Sequence, residues 1–149
     1  MSDTMPGLAE TALQPLILAS GSPRRRHWLE AMRIPFELQA PQVDETPLLD
    51  EDPSDLVLRL AELKAEVIAA RNPGRWVMAA DTTVAVDHHT LNKPVDVEDA
   101  VRMLSLIQGR AHQVHTGFCL QRNEVIHSFV DTAQVFFRPL TEAQIRWYV

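Results

Sequence analysis

Residues 16–26 read Leu-Ile-Leu-Ala-Ser-Gly-Ser-Pro-Arg-Arg-Arg, and the order of residue types in this stretch predicts how the domain begins. The apolar run at its start is typical of a short buried strand, which the Ser-Gly pair interrupts. Ser22 followed by Pro23 is a common helix start, with serine as the N-cap and proline in the first helical position. The stretch therefore predicts a strand, a tight turn and a helix in direct succession.

The rest of the chain continues this alternation and then changes to a hairpin. Strands are predicted at 16–19, 36–40, 76–80 with an extended continuation to 86, 112–120 and 125–137; helices are predicted at 23–32, 55–70, 98–108 and from 141 onward. Residues 87–93 are predicted to form a turn region, and Arg122-Asn123-Glu124 is predicted to join the last two strands. Alternating elements followed by a hairpin predict an α/β domain with a mixed β-sheet flanked by helices.

Size and composition limit the possible functions. The chain has 149 residues, 46% of them hydrophobic, which is enough for one domain with a core. We expect residues 1–14 to be a flexible tail without signal-peptide character and residues 15–149 to form the domain. A net charge of −6 argues against polynucleotide and membrane partners, so an anionic ligand would need a local cluster of cations. No stretch approaches the roughly 18 apolar residues of a membrane span, and the single cysteine, Cys119, suits a reducing cytoplasm.

The helix start at Ser22 is a candidate phosphate site. A helix N-terminus directs free backbone N–H groups and the positive end of its dipole at one point, and Arg24 and Arg25 add guanidinium groups that fit phosphate oxygens. The alternative is an ordinary N-cap with a solvated basic first turn. Three arginines in the first turn oppose the helix dipole, which favours an anionic ligand opposite them.

Acidic residues supply candidates for metal binding and proton transfer. Asp81 follows a buried strand, where ligands commonly bind in α/β sheets, and Asp44-Glu45 lies in a long acidic loop at 41–53. Together they could form a carboxylate pair for Mg²⁺, which typically takes one or two carboxylates and the substrate phosphates. The alternatives are a turn cap for Asp81 and a solvated loop for the acidic residues; for the stretch 50–52 we expect the solvated loop.

Two lysines and six histidines remain to be assigned. Lys64 follows apolar helix positions and could border the buried face, whereas Lys93 follows a turn that could direct it at a ligand; surface exposure is the alternative for both. His112 and His115 are three residues apart in a predicted strand and so face opposite sides, and no histidine pair has helical metal-ligand spacing. We expect the histidines to be structural or exposed.

Seven motifs in chain order resemble the Maf family from Leu16 to the end of the chain. They are Leu-Ala-Ser-Gly-Ser-Pro-Arg-Arg at 18–25, Val-Asp-Glu-Thr at 43–46, Leu-Arg-Leu-Ala-Glu-Leu-Lys-Ala at 58–65, Ala-Asp-Thr at 80–82, Asn-Lys-Pro at 92–94, Gly-Arg-Ala-His-Gln-Val-His-Thr-Gly at 109–117 and Leu-Thr-Glu-Ala-Gln-Ile at 140–145. The resemblance implies a single Maf-like, ITPase-like domain with a nucleotide cleft. It also implies a cytoplasmic nucleoside triphosphate pyrophosphatase that uses a divalent cation, Mg²⁺ or Mn²⁺, and that can form a homodimer.

The same resemblance implies roles for individual residues. Asp81 would be the catalytic carboxylate that activates water or holds the metal, and Glu45 would assist at the metal. The implied substrate-binding residues are Ser20, Arg24, Arg25, Lys64, Thr82 and Lys93.

Substrate choice separates the branches of the family. Arg24 after Ser-Pro and Thr82 after Asp81 are similar to the branch that acts on dTTP and UTP, and a 7-methyl-GTP pyrophosphatase is the alternative. Family members usually continue beyond Tyr148-Val149, so the resemblance implies a chain without the usual C-terminal segment. That departure leaves open a non-catalytic nucleotide-binding regulator of cell division.

Overall fold

A computed structural model describes residues 14–149, so the predicted tail at 1–14 lies outside the described residues except for Gln14. In chain order the elements are β1 Leu16–Leu18, α1 Pro23–Ala31, β2 Phe36–Leu38, α2 Pro53–Arg71, β3 Val77–Val86, β4 His89–Leu91, α3 Val97–Ile107, β5 Ala111–Arg122, β6 Val125–Phe136 and α4 Glu142–Tyr148. The predicted order of strands and helices is confirmed, with one additional strand, β4.

The strands form one six-stranded mixed sheet. Its main path has the order β2-β1-β3-β5-β6, in which β1 pairs in parallel with β2 and β3, while β5 pairs antiparallel with β3 and β6. The short strand β4 pairs antiparallel with the C-terminal part of β3. The sheet therefore has parallel pairs at its first strands and antiparallel pairs at its last strands, and the predicted mixed sheet is confirmed.

Helix α2 packs across β3, β5 and β6 and supplies one side of the core. Its buried face combines three alanines, Ala61, Ala65 and Ala69, with larger apolar side chains such as Leu60 and Ile68. The central cluster consists of Ile17, Ala19, Ala61, Ala65, Ile68, Ala69, Val77, Ala79 and Cys119. Burial raises the pKa of the Cys119 thiol to about 11, so this cysteine is a core residue in its protonated form.

Gly117 allows the closest contact between α2 and the sheet. It lies on β5 directly opposite Asp81 of β3. A β-carbon at this position would overlap the backbone carbonyl group of Val57 and the following backbone nitrogen in α2. Only glycine therefore permits the helix to cross the strands at this depth.

The predicted turn region at 87–93 is wrong in one respect, because it contains β4. Asp87 and His88 form a two-residue turn in which both residues have positive φ, at 50° and 63°, and Val86 pairs with His89. Such turns are usually signalled by Asn-Gly or Asp-Gly. An Asp-His turn and a three-residue strand do not carry that signal.

Helix α2 begins earlier than predicted. The helix predicted at 55–70 starts at Pro53, and its N-cap is Asp52, whose carboxylate accepts a hydrogen bond from the Ser54 backbone N–H at 3.0 Å. Pro53 occupies the first helical position, for which its fixed φ is suited.

Among residues 14–149, no helix combines the length and apolar character needed to cross a membrane.

Replacement of Gly117 by alanine should destabilise the protein. The added methyl group would collide with the backbone of α2, which cannot yield as a flexible side chain would, so we expect a loss of about 3 kcal/mol in the free energy of unfolding. Urea denaturation of both proteins measures the difference. Gly21→Ala is the matched control, because a β-carbon there meets nothing within 4 Å; its change should stay below about 1 kcal/mol. Equal effects of the two substitutions would contradict the close helix approach.

Candidate active site

Strand β3 changes neighbours along one of its edges, and Asp81 lies where this happens. On that edge β1 pairs with Val77 and Met78, whereas β4 pairs with residues 84–86; the other edge is covered by β5 throughout. The strand predicted at 76–80 and its predicted extended continuation to 86 form one strand, β3, so Asp81 lies within a strand and not at its end. The aspartate occupies the interval between β1 and β4, where this edge of β3 has no strand partner among residues 14–149.

Lys64 joins the two predicted carboxylates. Its Nζ lies 2.6 Å from Asp81 Oδ1 and 2.7 Å from Glu45 Oε1. The exposed fractions of the side chains are 10% for Lys64, 16% for Asp81 and 55% for Glu45. An ammonium group withdrawn from water needs paired counter-charges, and here one comes from β3 and the other from the loop at 41–52. The structure therefore brings together three residues that the sequence separates by up to 36 positions.

A second cluster of polar side chains surrounds Thr82, the residue after Asp81 on β3. The Arg25 guanidinium donates to Ser20 Oγ at 3.2 Å and to Thr82 Oγ1 at 3.1 Å. Thr82 Oγ1 lies 3.1 Å from the hydroxyl of Thr116, its register partner on β5. Burial lowers the pKa of Arg25; Asp81 and Glu45 oppose this shift, and Arg24 adds to it. Three predicted substrate-binding residues, Ser20, Arg25 and Thr82, are thus in direct contact.

The start of α1 presents its backbone donors next to this cluster. Ser22 has the extended backbone of an N-cap, as predicted, but its side chain makes no capping hydrogen bond, and its N–H donates to Ser20 Oγ at 3.1 Å. The first turn holds no acidic residue, and Pro23 is at its beginning. Arg24 is exposed and forms no ion pair within the described part of the chain. An anion at this terminus would meet positive charge from the helix dipole and the guanidinium groups.

The acidic loop at 41–52 is anchored to α2 by Arg59. The guanidinium donates from Nε to Glu51 Oε1 at 2.6 Å and from Nη2 to Glu51 Oε2 at 2.8 Å, and Nη2 also donates to the Thr46 carbonyl at 3.2 Å. Hydrogen bonds from Arg59 lower the pKa of Glu51 from 4.5 to about 2, assisted by the Leu48 N–H. The expectation of a solvated stretch at 50–52 is wrong for Glu51, whose side chain is 8% exposed, because a distant arginine neutralises it.

Lys93 lies apart from both clusters. It is exposed in the loop after β4. Because β4 runs antiparallel to β3, the chain leaves β4 heading toward Thr82. It lines a cavity of about 460 Å³ between the β3–β4 hairpin and α3, together with apolar side chains such as Leu91 and Met103. Among residues 14–149 it has no ion-pair partner, so the structure does not bring Lys93 into contact with Asp81 or Glu45.

Glu45 and Asp81 fit the requirements of a hard divalent cation. Their carboxylates converge on one ammonium group, and Mg²⁺ typically takes one or two carboxylates with the remaining positions filled by phosphate and water. Within residues 14–149 there is no group of three or more His, Cys, Asp or Glu side chains suited to a metal. A cation held here would therefore depend on substrate oxygens for its other ligands.

Comparison with known proteins identifies the family. The family model described as Maf-like protein matches residues 15–149. The chain belongs to the Maf-like protein family. It is 46% identical over 134 residues to a protein of Myxococcus xanthus named dTTP/UTP pyrophosphatase, covering 89% of this chain and 67% of that relative. A protein of Thermus thermophilus with the same name is 46% identical over 135 residues, covering 91% of this chain and 70% of the relative.

A solved structure supports the fold independently of sequence. The Staphylococcus aureus Ham1 protein superimposes with a TM-score of 0.58 at 14% identity, covering 81% of this chain and 70% of that one. At this identity the likeness concerns the fold alone. The predicted single α/β domain of the Maf-like, ITPase-like type is confirmed.

Three residues at or near this site were not predicted as site residues from the sequence. Arg59 lies in the motif Leu-Arg-Leu-Ala, where a charged residue within an apolar stretch could have signalled a buried ion pair. Glu51 was hidden among other acidic loop residues. Thr116 precedes the tightly packed Gly117, and only the strand register connects it with Thr82.

Removal of the Lys64 ammonium group should destabilise the protein through its carboxylates. In Lys64→Met, Asp81 remains mostly buried without a cation, and we expect a loss of about 2 kcal/mol in the free energy of unfolding. Adding Asp81→Asn removes the uncompensated charge and should restore part of this loss. Lys93→Met is the stability control, with a change below about 0.5 kcal/mol expected for an exposed lysine. A double variant no more stable than Lys64→Met would contradict the charge argument.

The Glu51–Arg59 pair should make stability depend on acid pH. Because the pKa of Glu51 is lower in the folded protein than its ordinary value of 4.5, its contribution is complete above about pH 4.5 and is lost as the pH falls toward about 2. The stability difference between wild type and Glu51→Gln should therefore shrink over this range. Denaturant titrations at a series of pH values measure it, and a difference that stays constant from pH 6 to about pH 2 would refute the assignment.

Proposed function

We propose that this chain is a nucleoside triphosphate pyrophosphatase that hydrolyses dTTP and UTP to the nucleoside monophosphate and pyrophosphate. The observation that carries the proposal is the convergence of Asp81 and Glu45 on Lys64, next to the Arg25 cluster at the start of α1. This arrangement combines a proton acceptor with cations for phosphate charge. The relatives named dTTP/UTP pyrophosphatase, at 39–46% identity, support the reaction and the substrate class.

The cations on the α1 side are suited to bind the triphosphate. Arg25 is oriented by Ser20 and Thr82, so its guanidinium is pre-positioned before a substrate arrives. Arg24 is exposed beside it and free to reach a phosphate oxygen, while the N–H groups of α1 add the field of a helix terminus. We assign Lys93 to the same ligand. It lies on the loop after β4, so it would approach from the β4 side of Asp81 and Thr82, opposite to the β1 and α1 side.

The carboxylates on the α2 side are suited to the chemical step. Asp81 would accept a proton from the attacking water, whose oxygen forms the new bond to the α-phosphorus as the bond to the bridging oxygen breaks and pyrophosphate leaves. Lys64 holds the Asp81 carboxylate in one orientation and balances the charge of Glu45. A divalent cation, Mg²⁺ or Mn²⁺, would supply neutralisation of phosphate charge when bound, and Asp81 and Glu45 are the residues that would hold it.

The proposed binding partner is a small nucleotide and not a polynucleotide or a membrane. The net charge of −6 disfavours polynucleotide and anionic membrane surfaces, whereas the local arginines at α1 suit a free nucleotide. One cysteine, buried and protonated, is compatible with the cytoplasm. The family resemblance also suggests a homodimer as the working form.

The test is pyrophosphate release from a panel of dTTP, UTP, CTP, 7-methyl-GTP and ATP, with Mg²⁺ or Mn²⁺. Release mainly from dTTP and UTP is the expected result. Release confined to 7-methyl-GTP would transfer the chain to the other family branch. Binding of dTTP by folded protein without any release would favour the regulatory alternative.

Asp81→Asn tests the role of the carboxylate within the same assay. The amide cannot accept the proton, so kcat should fall by at least about 100-fold, with dTTP binding largely retained. Calorimetric titration with dTTP checks that the variant still binds. If turnover survives in Asp81→Asn, the assigned role of this residue is wrong.

A further inference from the structure

The loop at 41–52 carries Glu45 but is tied to α2 at residues other than Glu45. Arg59 contacts both carboxylate oxygens of Glu51 and the carbonyl oxygen of Thr46, the residue directly after Glu45. These three hydrogen bonds span the loop from its middle to its end. We call them the Arg59 clamp.

The clamp is a built contact rather than a chance surface ion pair. The Glu51 carboxylate is nearly buried and also accepts the Leu48 N–H at 2.9 Å, while the Glu51 N–H donates to the Leu48 carbonyl at 3.2 Å. A bidentate arginine–carboxylate pair has defined geometry, unlike a single exposed contact. Arg59 thereby acts on a compact turn and not on a loose side chain.

Helix α2 carries both groups that determine where Glu45 lies. Lys64 contacts the Glu45 carboxylate at 2.7 Å, and Arg59, five residues earlier on the same helix, holds the backbone of the adjacent residue. The Glu45 side chain is 55% exposed, so burial alone does not determine its place. Within the described part of the chain, the Arg59 contacts and the Lys64–Glu45 ion pair are the hydrogen bonds and ion pairs that join residues 41–51 to α2.

We propose that Arg59 is a positioning residue, which holds the loop at 41–52 so that the Glu45 carboxylate stays at Lys64 and Asp81. The role in turnover rests on the proposed pyrophosphatase function. Arg59 contacts neither Asp81 nor the Arg25 cluster, so it acts on the reaction through Glu45 alone. Its loss should lower kcat more than it changes KM, because the arginines proposed to contact the phosphates lie on α1 and are not held by Arg59.

A double-mutant cycle with Glu45 tests this route. Arg59→Ala should lower kcat for dTTP about tenfold, with KM within about twofold, since small misplacements of catalytic groups are costly. In a Glu45→Gln background the same substitution should change kcat by less than about twofold. Arg59→Lys, which cannot form the bidentate pair, should fall between wild type and Arg59→Ala. Arg146→Ala, which removes an exposed bidentate pair with Glu98, is the matched control and should leave kcat unchanged.

Equal effects of Arg59→Ala in the two backgrounds would overturn the proposal, because Arg59 would then act by another route. An unchanged kcat in Arg59→Ala would do the same and reduce the clamp to a structural contact. Thermal denaturation of each variant ensures that only folded protein enters the comparison.

Amide hydrogen exchange provides a readout that does not depend on turnover. In Arg59→Ala, exchange should accelerate in peptides covering 42–51 and remain at the wild-type level in β3, whereas Arg146→Ala should alter neither. Unchanged exchange in the loop would overturn the proposal even for an active enzyme. If wild-type protein releases no pyrophosphate, the proposed function fails, and the exchange experiment still decides whether Arg59 holds the loop.

Discussion

The enclosure of the Lys64 ammonium group is the interaction on which the site depends. A cation on the inner face of α2 is costly unless counter-charges surround it, and Asp81 and Glu45 provide them from a strand and from a loop. The ion pairs therefore bring side chains of a helix, a strand and a loop to one point. Because the cation is fixed by a packed helix, both carboxylates have a rigid reference point.

Two features of the backbone make this enclosure possible. Among residues 14–149, the change of partners along β3 leaves Asp81 without a strand neighbour on one edge, and its side chain stays 16% exposed within a ten-residue strand. Gly117, which lies on β5 directly opposite Asp81, then lets α2 pack closely enough on these strands for Lys64 to reach the aspartate. The part of the β3 edge without a strand partner leaves room for a ligand beside Asp81. The absence of a side chain at Gly117 lets α2 pack closely against the sheet on the core side.

The distribution of charge agrees with this division. The protein is acidic as a whole, yet Arg24 and Arg25 concentrate positive charge at the start of α1, where Arg25 contacts Thr82, whereas Lys64 contacts the preceding residue, Asp81. Phosphate binding and proton transfer are thus assigned to different elements that meet at Asp81 and Thr82. The Arg59 clamp gives the acidic loop a defined place beside this arrangement.

Local sequence was sufficient for the features that depend on neighbouring residues. The helix start at Ser22-Pro23 and the hairpin at Asn123 follow from backbone preferences within a few residues, and both are confirmed. The family motifs identified Asp81, Glu45 and Lys64, although spacing alone did not group them. Only the tertiary structure joined Asp81 and Glu45 through Lys64 and paired Glu51 with Arg59, because ion pairs join residues whose separation along the chain carries no signal of contact.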